Sequence, residues 1–119
     1  MKKLFDQPFD KSDSFWVLKV YFNIMYSDGN FIDAADRISR RWGFSTDGAY
    51  CRFPDMNSFD SDEHFEGVEF TYGISPNEST IIVGDKVCFE FLKRACEIYI
   101  SRHPEYSLKV TEIISRLPK

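Results

Sequence analysis

The chain has 119 residues, 43% of them hydrophobic and 17% aromatic. That is enough for one compact core but marginal for two, and twelve phenylalanines exclude a disordered chain. No apolar run reaches the roughly eighteen residues of a membrane-spanning helix, and no glycine motif for cradling a phosphate is present. The charge is uneven. Against 15 basic residues stand 19 acidic ones, a net −4, yet no lysine or arginine lies between Arg52 and Lys86. That stretch holds Asp55, Asp60, Asp62, Glu63, Glu66, Glu69, Glu78 and Asp85. A slightly basic body therefore carries one acidic block, which repels nucleic acid and anionic lipid and attracts a cationic partner.

In chain order, residues 1–11 read as a loosely held arm. They lack the apolar stretch of a secretory signal. Ser12 or Asp13 is placed to cap a helix over 15–26, stopped at Asp28-Gly29; the run is apolar on nearly all sides, which leaves a buried strand as the alternative, and its length favours helix. A second helix follows over 31–42, with Phe31, Ala34, Ala35, Ile38 and Trp42 on one stripe and Gly43 as its stop. Arg37 and Arg40 fall outside that stripe, and Arg41 lies at its edge. The next segment is punctuated by Gly, Pro, Asp, Asn and Ser. It contains strands at 49–53, at 66–72 with Val68, Phe70 and Tyr72 on one face, and at 80–83. Asp85 is read as the cap of a long helix with Cys88, Phe91, Leu92, Ala95, Ile98 and Tyr99 on its apolar side. His103-Pro104 closes it, and a last helix carries Val110, Ile113, Ile114 and Leu117. The expected fold is α+β: two N-terminal helices, a small three-stranded antiparallel sheet and two C-terminal helices, in one domain over 1–119.

Little in the chain points to catalysis. His64 has acidic neighbours and could serve as a general acid–base, but no nucleophile or oxyanion hole accompanies it. Asp55, Asp60 and Asp62 fit no calcium-loop spacing, and Cys51, Cys88 and Cys96 fit no zinc pattern. An odd number of cysteines with no CxxC pair suits a reducing cytoplasm. No catalytic residue, metal or cofactor is expected. Arg37, Arg40 and Arg41 are too few and too localised to argue for direct nucleic-acid binding.

The order of short motifs carries more. Asp28-Gly29-Asn30-Phe31 precedes Trp42-Gly43-Phe44, Asp47 and Cys51-Arg52-Phe53-Pro54-Asp55. Phe65-Glu66-Gly67-Val68, Phe91-Leu92, Ala95-Cys96, Tyr99 and His103-Pro104 follow. Over residues 14–117 this order resembles the immunity proteins of bacterial contact-dependent growth inhibition systems, in the group paired with ribonuclease toxins. The resemblance implies a cytoplasmic, non-enzymatic inhibitor that binds one cognate toxin 1:1. That toxin would be the C-terminal nuclease domain of a surface protein delivered by a neighbouring cell. Its motif residues, such as Gly29, Gly43, Gly67, Phe31, Phe53 and Phe91, read as scaffold.

A nuclease cleft is basic because it holds a polyanion, so an acidic surface can occupy it or bind an exosite beside it, and opposite charge speeds capture. Asp60, Asp62, Glu63, Glu66 and Glu69 are the candidates for electrostatic complementarity. Phe59, Phe65 and Tyr72 are the candidates for a buried hot spot, with core packing as the competing role. Such an interface would bury about 800 Å² per partner. A second reading is a non-catalytic interaction subunit or homodimeric structural protein that buries its exposed rings in self-association.

Overall fold

A computed structural model describes residues 4–5, 13–46 and 48–118. It has four helices and a three-stranded antiparallel sheet, with helices at both ends of the chain. The helices are α1 (Trp16–Ser27), α2 (Phe31–Ser39), α3 (Asp85–Arg102) and α4 (Ser107–Ser115), the last preceded by a short 3-10 turn, Pro104–Tyr106. The strands are β1 (Ala49–Arg52), β2 (Val68–Tyr72) and β3 (Ser79–Val83), in the order β1-β2-β3. The α+β reading of the sequence is thus the architecture.

The helix α1 is apolar on nearly all sides because it is covered on nearly all sides. It crosses the inner face of the sheet and also packs on α2. Leu18, Tyr21, Phe22 and Met25 have no exposed surface. The inner face follows the period of two: Cys51 lies opposite Phe70, and Val68 opposite Val83. Phe70 meets the edges of Tyr21 and Phe22 at centroid distances of 5.2 and 6.0 Å. Such tilted and edge-on ring pairs each add about 0.5–1.5 kcal/mol beyond the area they bury. On the outer face Arg52 lies opposite Glu69, and Thr71 opposite Thr80.

The arm expected over 1–11 falls largely outside the described residues. The two that are described, Leu4 and Phe5, are buried in the core. Asn23, the one buried polar residue among those described, holds them there. Its Oδ1 accepts from the Phe5 N–H at 2.8 Å, and its Nδ2 donates to the Phe5 carbonyl at 2.9 Å.

Three local expectations need correction. The first is that Phe15 holds the capping position of α1, while Asp13 Oδ1 accepts from the Phe15 N–H at 2.9 Å and Ser12 lies outside the described residues. The helix expected over 31–42 ends at Ser39, and Trp42 leaves the core stripe to stand 61% exposed. The cause is Arg41, which takes a left-handed φ of 63°, while the Trp42 N–H donates back to Arg37 O at 2.9 Å. Gly43 is therefore not the helix stop. A Cβ there would lie 2.5 Å from Cys51 O, so only glycine lets the chain run beside β1, where the Phe44 N–H bonds Cys51 O. Likewise Gly84, not Asp85, holds the capping position of α3, and Asp85 in the first turn pairs with Arg41.

Candidate binding surface

The acidic block lies mainly in the loop that leaves β1 after Arg52 and re-enters the sheet at Val68. Its shape is set by its own hydrogen bonds. The Asp55 N–H donates to Glu63 O at 2.9 Å, joining the two ends of a compact turn. Within it, Asp55 Oδ1 accepts from the Asn57 N–H at 3.0 Å, and Asp60 Oδ1 accepts from the Asp62 N–H at 2.9 Å. The latter caps a one-turn 3-10 helix, Ser61–Glu63. His64 Nε2 lies 2.7 Å from Ser58 O, which assigns its ring a structural bond.

Arg52 fixes this loop to the sheet. Its Nε donates to Glu69 at 2.6 Å, one terminal nitrogen to Glu63 at 2.9 Å, and the other to the Asp62 carbonyl at 3.1 Å. Its guanidinium also lies 5.0 Å from the centre of the Phe65 ring. The bond to Glu69, above all, raises the pKa of Arg52 above its ordinary value. Glu63 and Glu69 thus share one guanidinium, which cancels half of their charge, while Arg41 pairs with Asp85. Among the described residues no ion pair engages Asp55, Asp60, Asp62 or Glu66. The net field of the loop comes from these four together with the one charge that Arg52 leaves uncancelled on Glu63 and Glu69.

The expected contact residues separate accordingly. Asp60, Asp62 and Glu66 are exposed on the loop, whereas Glu63 and Glu69 form its internal brace. Phe59 has no covering at all, with 107% relative exposure, while Phe65 is half-buried under Arg52. Tyr72 lies apart. It is on the inner parity of β2, four residues beyond Val68 and so about 13 Å away along the strand. There it meets the Trp16 ring edge-on at 6.2 Å. The loop thus brings together Phe59 with Asp60, Asp62, Glu63, Glu66 and Phe65, with Glu69 joined through Arg52 and Tyr72 left out.

Two exposed apolar residues escaped the sequence reading. Met56 is 65% exposed on the same loop, and Trp42 stands with the Arg40 guanidinium 5.9 Å from its ring. Arg41, next to Trp42, covers Phe53 at the root of the loop. Met56 could have been found as an apolar residue inside the acid block. Trp42 had no sequence signal, because the left-handed turn at Arg41 is invisible there.

The loop offers acceptors and apolar groups but no catalytic arrangement. Among the described residues, no three His, Cys, Asp or Glu side chains are grouped to hold a metal ion. Nor is any helix among them long and apolar enough to cross a membrane. Burial pushes the thiols of Cys88 and Cys96 up to about 12 and raises that of Cys51 as well, which keeps them unreactive in the core at neutral pH.

A family model described as "CDI immunity protein" matches residues 14–114. The fold is shared with the crystal structure of an immunity protein, NMB0503, from Neisseria meningitidis MC58. That match has a TM-score of 0.72 and 20% identity, covering 85% of this chain and 86% of the other. No curated protein matched the sequence.

Proposed function

This chain belongs to the CDI immunity protein family, and from that premise we propose that it neutralises a nuclease toxin, a ribonuclease, by binding its basic surface. The protein acts in the cytoplasm as a monomeric, non-enzymatic inhibitor, one copy per toxin domain. The observation that carries the reading is the loop between β1 and β2. A fully bare Phe59 stands among Asp60, Asp62 and Glu66, on a turn whose internal bonds are already made. An aromatic anchor with a charged rim is what a protein-binding hot spot requires, and an acidic rim suits a partner built to hold a polyanion. Pre-formed bonds in the loop reduce the ordering cost of association, and opposite charge raises the rate of encounter.

The test is rescue. The C-terminal domain encoded directly upstream of this gene is expressed in a sensitive cell with and without this chain. Growth is expected only with it, together with intact cellular RNA. Cell death in the presence of soluble, folded protein would remove the reading for that toxin. Rescue with RNA untouched in the unprotected cell would keep the immunity role and remove the ribonuclease.

A further inference from the structure

The two edges of the sheet differ. At β1 the chain covers its own edge: Cys51 O accepts from the Phe44 N–H at 3.1 Å, and the Cys51 N–H donates to Ser45 Oγ at 3.3 Å. Ala49 likewise exchanges two bonds with Thr46, at 2.9 and 3.1 Å. These bonds fix which way each backbone group points. Cys51 turns its own outward, so its partner Phe70 bonds β3 through Ile81. On either side of Ile81, Thr80 and Ile82 then aim their N–H and C=O groups away from β2. The Thr71 and Thr80 hydroxyls lie 3.0 Å apart, which fits the closer spacing of a non-hydrogen-bonded pair. Among the described residues nothing bonds these four outward groups.

Open edges are ordinarily blunted by a lysine, a proline or a bulge. The strand β3 has none of these: Ser79-Thr80-Ile81-Ile82-Val83 carries no charge and no proline, and it pairs residue for residue with β2. Thr80 to Val83 are all β-branched, and the side chains of Thr80 and Ile82 are exposed on the outer face. Glu78 stands exposed two residues before Thr80, in no ion pair among the described residues. Past the other end, Asp85 pairs with Arg41, and Lys86 lines the groove between α3 and Leu117. On the outer face Ile82, Glu69 and Arg52 form one row across the sheet. Two strand spacings, about 10 Å, therefore separate the open edge from the arginine that holds the acidic loop.

We infer that the open edge of β3 receives a β-strand of the toxin domain, extending the sheet to four strands, an assignment that rests on the proposed capture of a basic nuclease domain. Antiparallel pairing gives four main-chain bonds, two to Thr80 and two to Ile82. It sets an apolar residue of the incoming strand beside Ile82 and, four residues further along that strand, a lysine or arginine beside Glu78. A footprint of about 800 Å², on the order of 30 Å across, covers this edge and the acidic loop together. A second copy of this chain suits the edge less well, because it adds a further net charge of −4 where a basic domain adds cations.

The experiment is residue-resolved amide hydrogen exchange, read by NMR on the full chain alone and with the purified C-terminal domain encoded directly upstream. In the free chain the Thr80 and Ile82 amides should exchange about a hundredfold or more faster than those of Ile81 and Val83. In the complex they should slow by about tenfold or more. Ile82→Pro deletes one outward donor, a change that edge strands tolerate, whereas Ile82→Ala removes the side chain and keeps the donor. The proline variant should bind about tenfold more weakly than the alanine variant, with melting temperatures checking that both fold. A complex that shifts the loop around Phe59 while Thr80 and Ile82 still exchange freely would overturn the inference and leave the toxin reading standing. No complex at all would overturn both. Protection of the two amides in the chain alone would overturn the inference as well, and a rise of that protection with concentration would assign the edge to a second copy.

Discussion

Phe59 gives the sharpest test of the binding surface, because the fold makes no use of it. Its ring is fully exposed and lies outside the core cluster, so Phe59→Ala should leave the melting temperature within about 1 °C of the parent's. In the complex the ring goes from bare to buried. Full burial of a phenylalanine side chain is worth about 1.5–3 kcal/mol, and about 1.4 kcal/mol corresponds to a tenfold change in Kd. The variant should therefore bind the toxin domain roughly 10- to 150-fold more weakly, with the loss in the dissociation rate, since the acids that steer encounter are intact. Surface plasmon resonance on the immobilised toxin domain reads both rates. Leu108→Ala is the control, an 89% exposed apolar residue on α4 whose loss should change neither stability nor binding. A Phe59→Ala complex within about twofold of the parent in Kd, or a drop equal to that of the control, would refute the placement of the hot spot on this loop.

Three further outcomes are expected. Asp62→Lys with Glu66→Lys reverses two carboxylates that make no bond within the loop. The association rate should fall about tenfold or more at low salt and lose most of its salt dependence, with stability unchanged; an unaltered rate would remove charge steering. Asn23→Leu leaves the buried N–H and carbonyl of Phe5 unpaired, at about 1–3 kcal/mol for each group. The melting temperature should drop by roughly 10 °C, and a change under about 2 °C would show that Leu4 and Phe5 are not held by this clasp. The bond from Arg116 holds the Asp36 carboxyl below the usual carboxylate range, tying α4 to α2. A lowered folded pKa stabilises the fold above the ordinary value of about 3.9 and ceases to do so as pH falls from there through the folded value. Urea midpoints should therefore decline below about pH 4, less steeply in Asp36→Asn, with Asp13, lowered chiefly by its bond to Lys19, supplying part of the remaining slope. Parallel acid limbs would remove Asp36 from this role.

What was legible in the sequence is what short-range periodicity encodes. The alternation of Val68 and Phe70 gave β2, and the length of the apolar run 15–26 gave α1 over a buried strand. The acid block was equally plain. What it concealed was its internal division, because Arg52 reaches Glu63 and Glu69 across 11 and 17 residues. Pairing β1 with β2 in register would have found the second of these, since Arg52 and Glu69 are opposite partners. Phe59, Phe65 and Tyr72 look alike in sequence, yet one is bare, one lies under a guanidinium and one meets Trp16. Only the third was distinguishable beforehand, from its inward parity on the strand.

The loop separates two duties that acidic residues often combine. Glu63 and Glu69 share Arg52, so they shape the surface while only one of their two charges is left to its field. Glu66 does the reverse: exposed, and in no ion pair among the described residues, it contributes field without bracing the loop. Asp60 does both, because its carboxylate accepts the Asp62 N–H while remaining exposed. An amide at that position keeps the acceptor and removes the charge, whereas a methyl group removes both. On the proposed mode of binding, specificity can change through Met56, Phe59, Asp62 and Glu66 without disturbing the bonds that give the loop its form. Change at Arg52 reshapes the loop itself, since one guanidinium holds both braces and the Asp62 carbonyl.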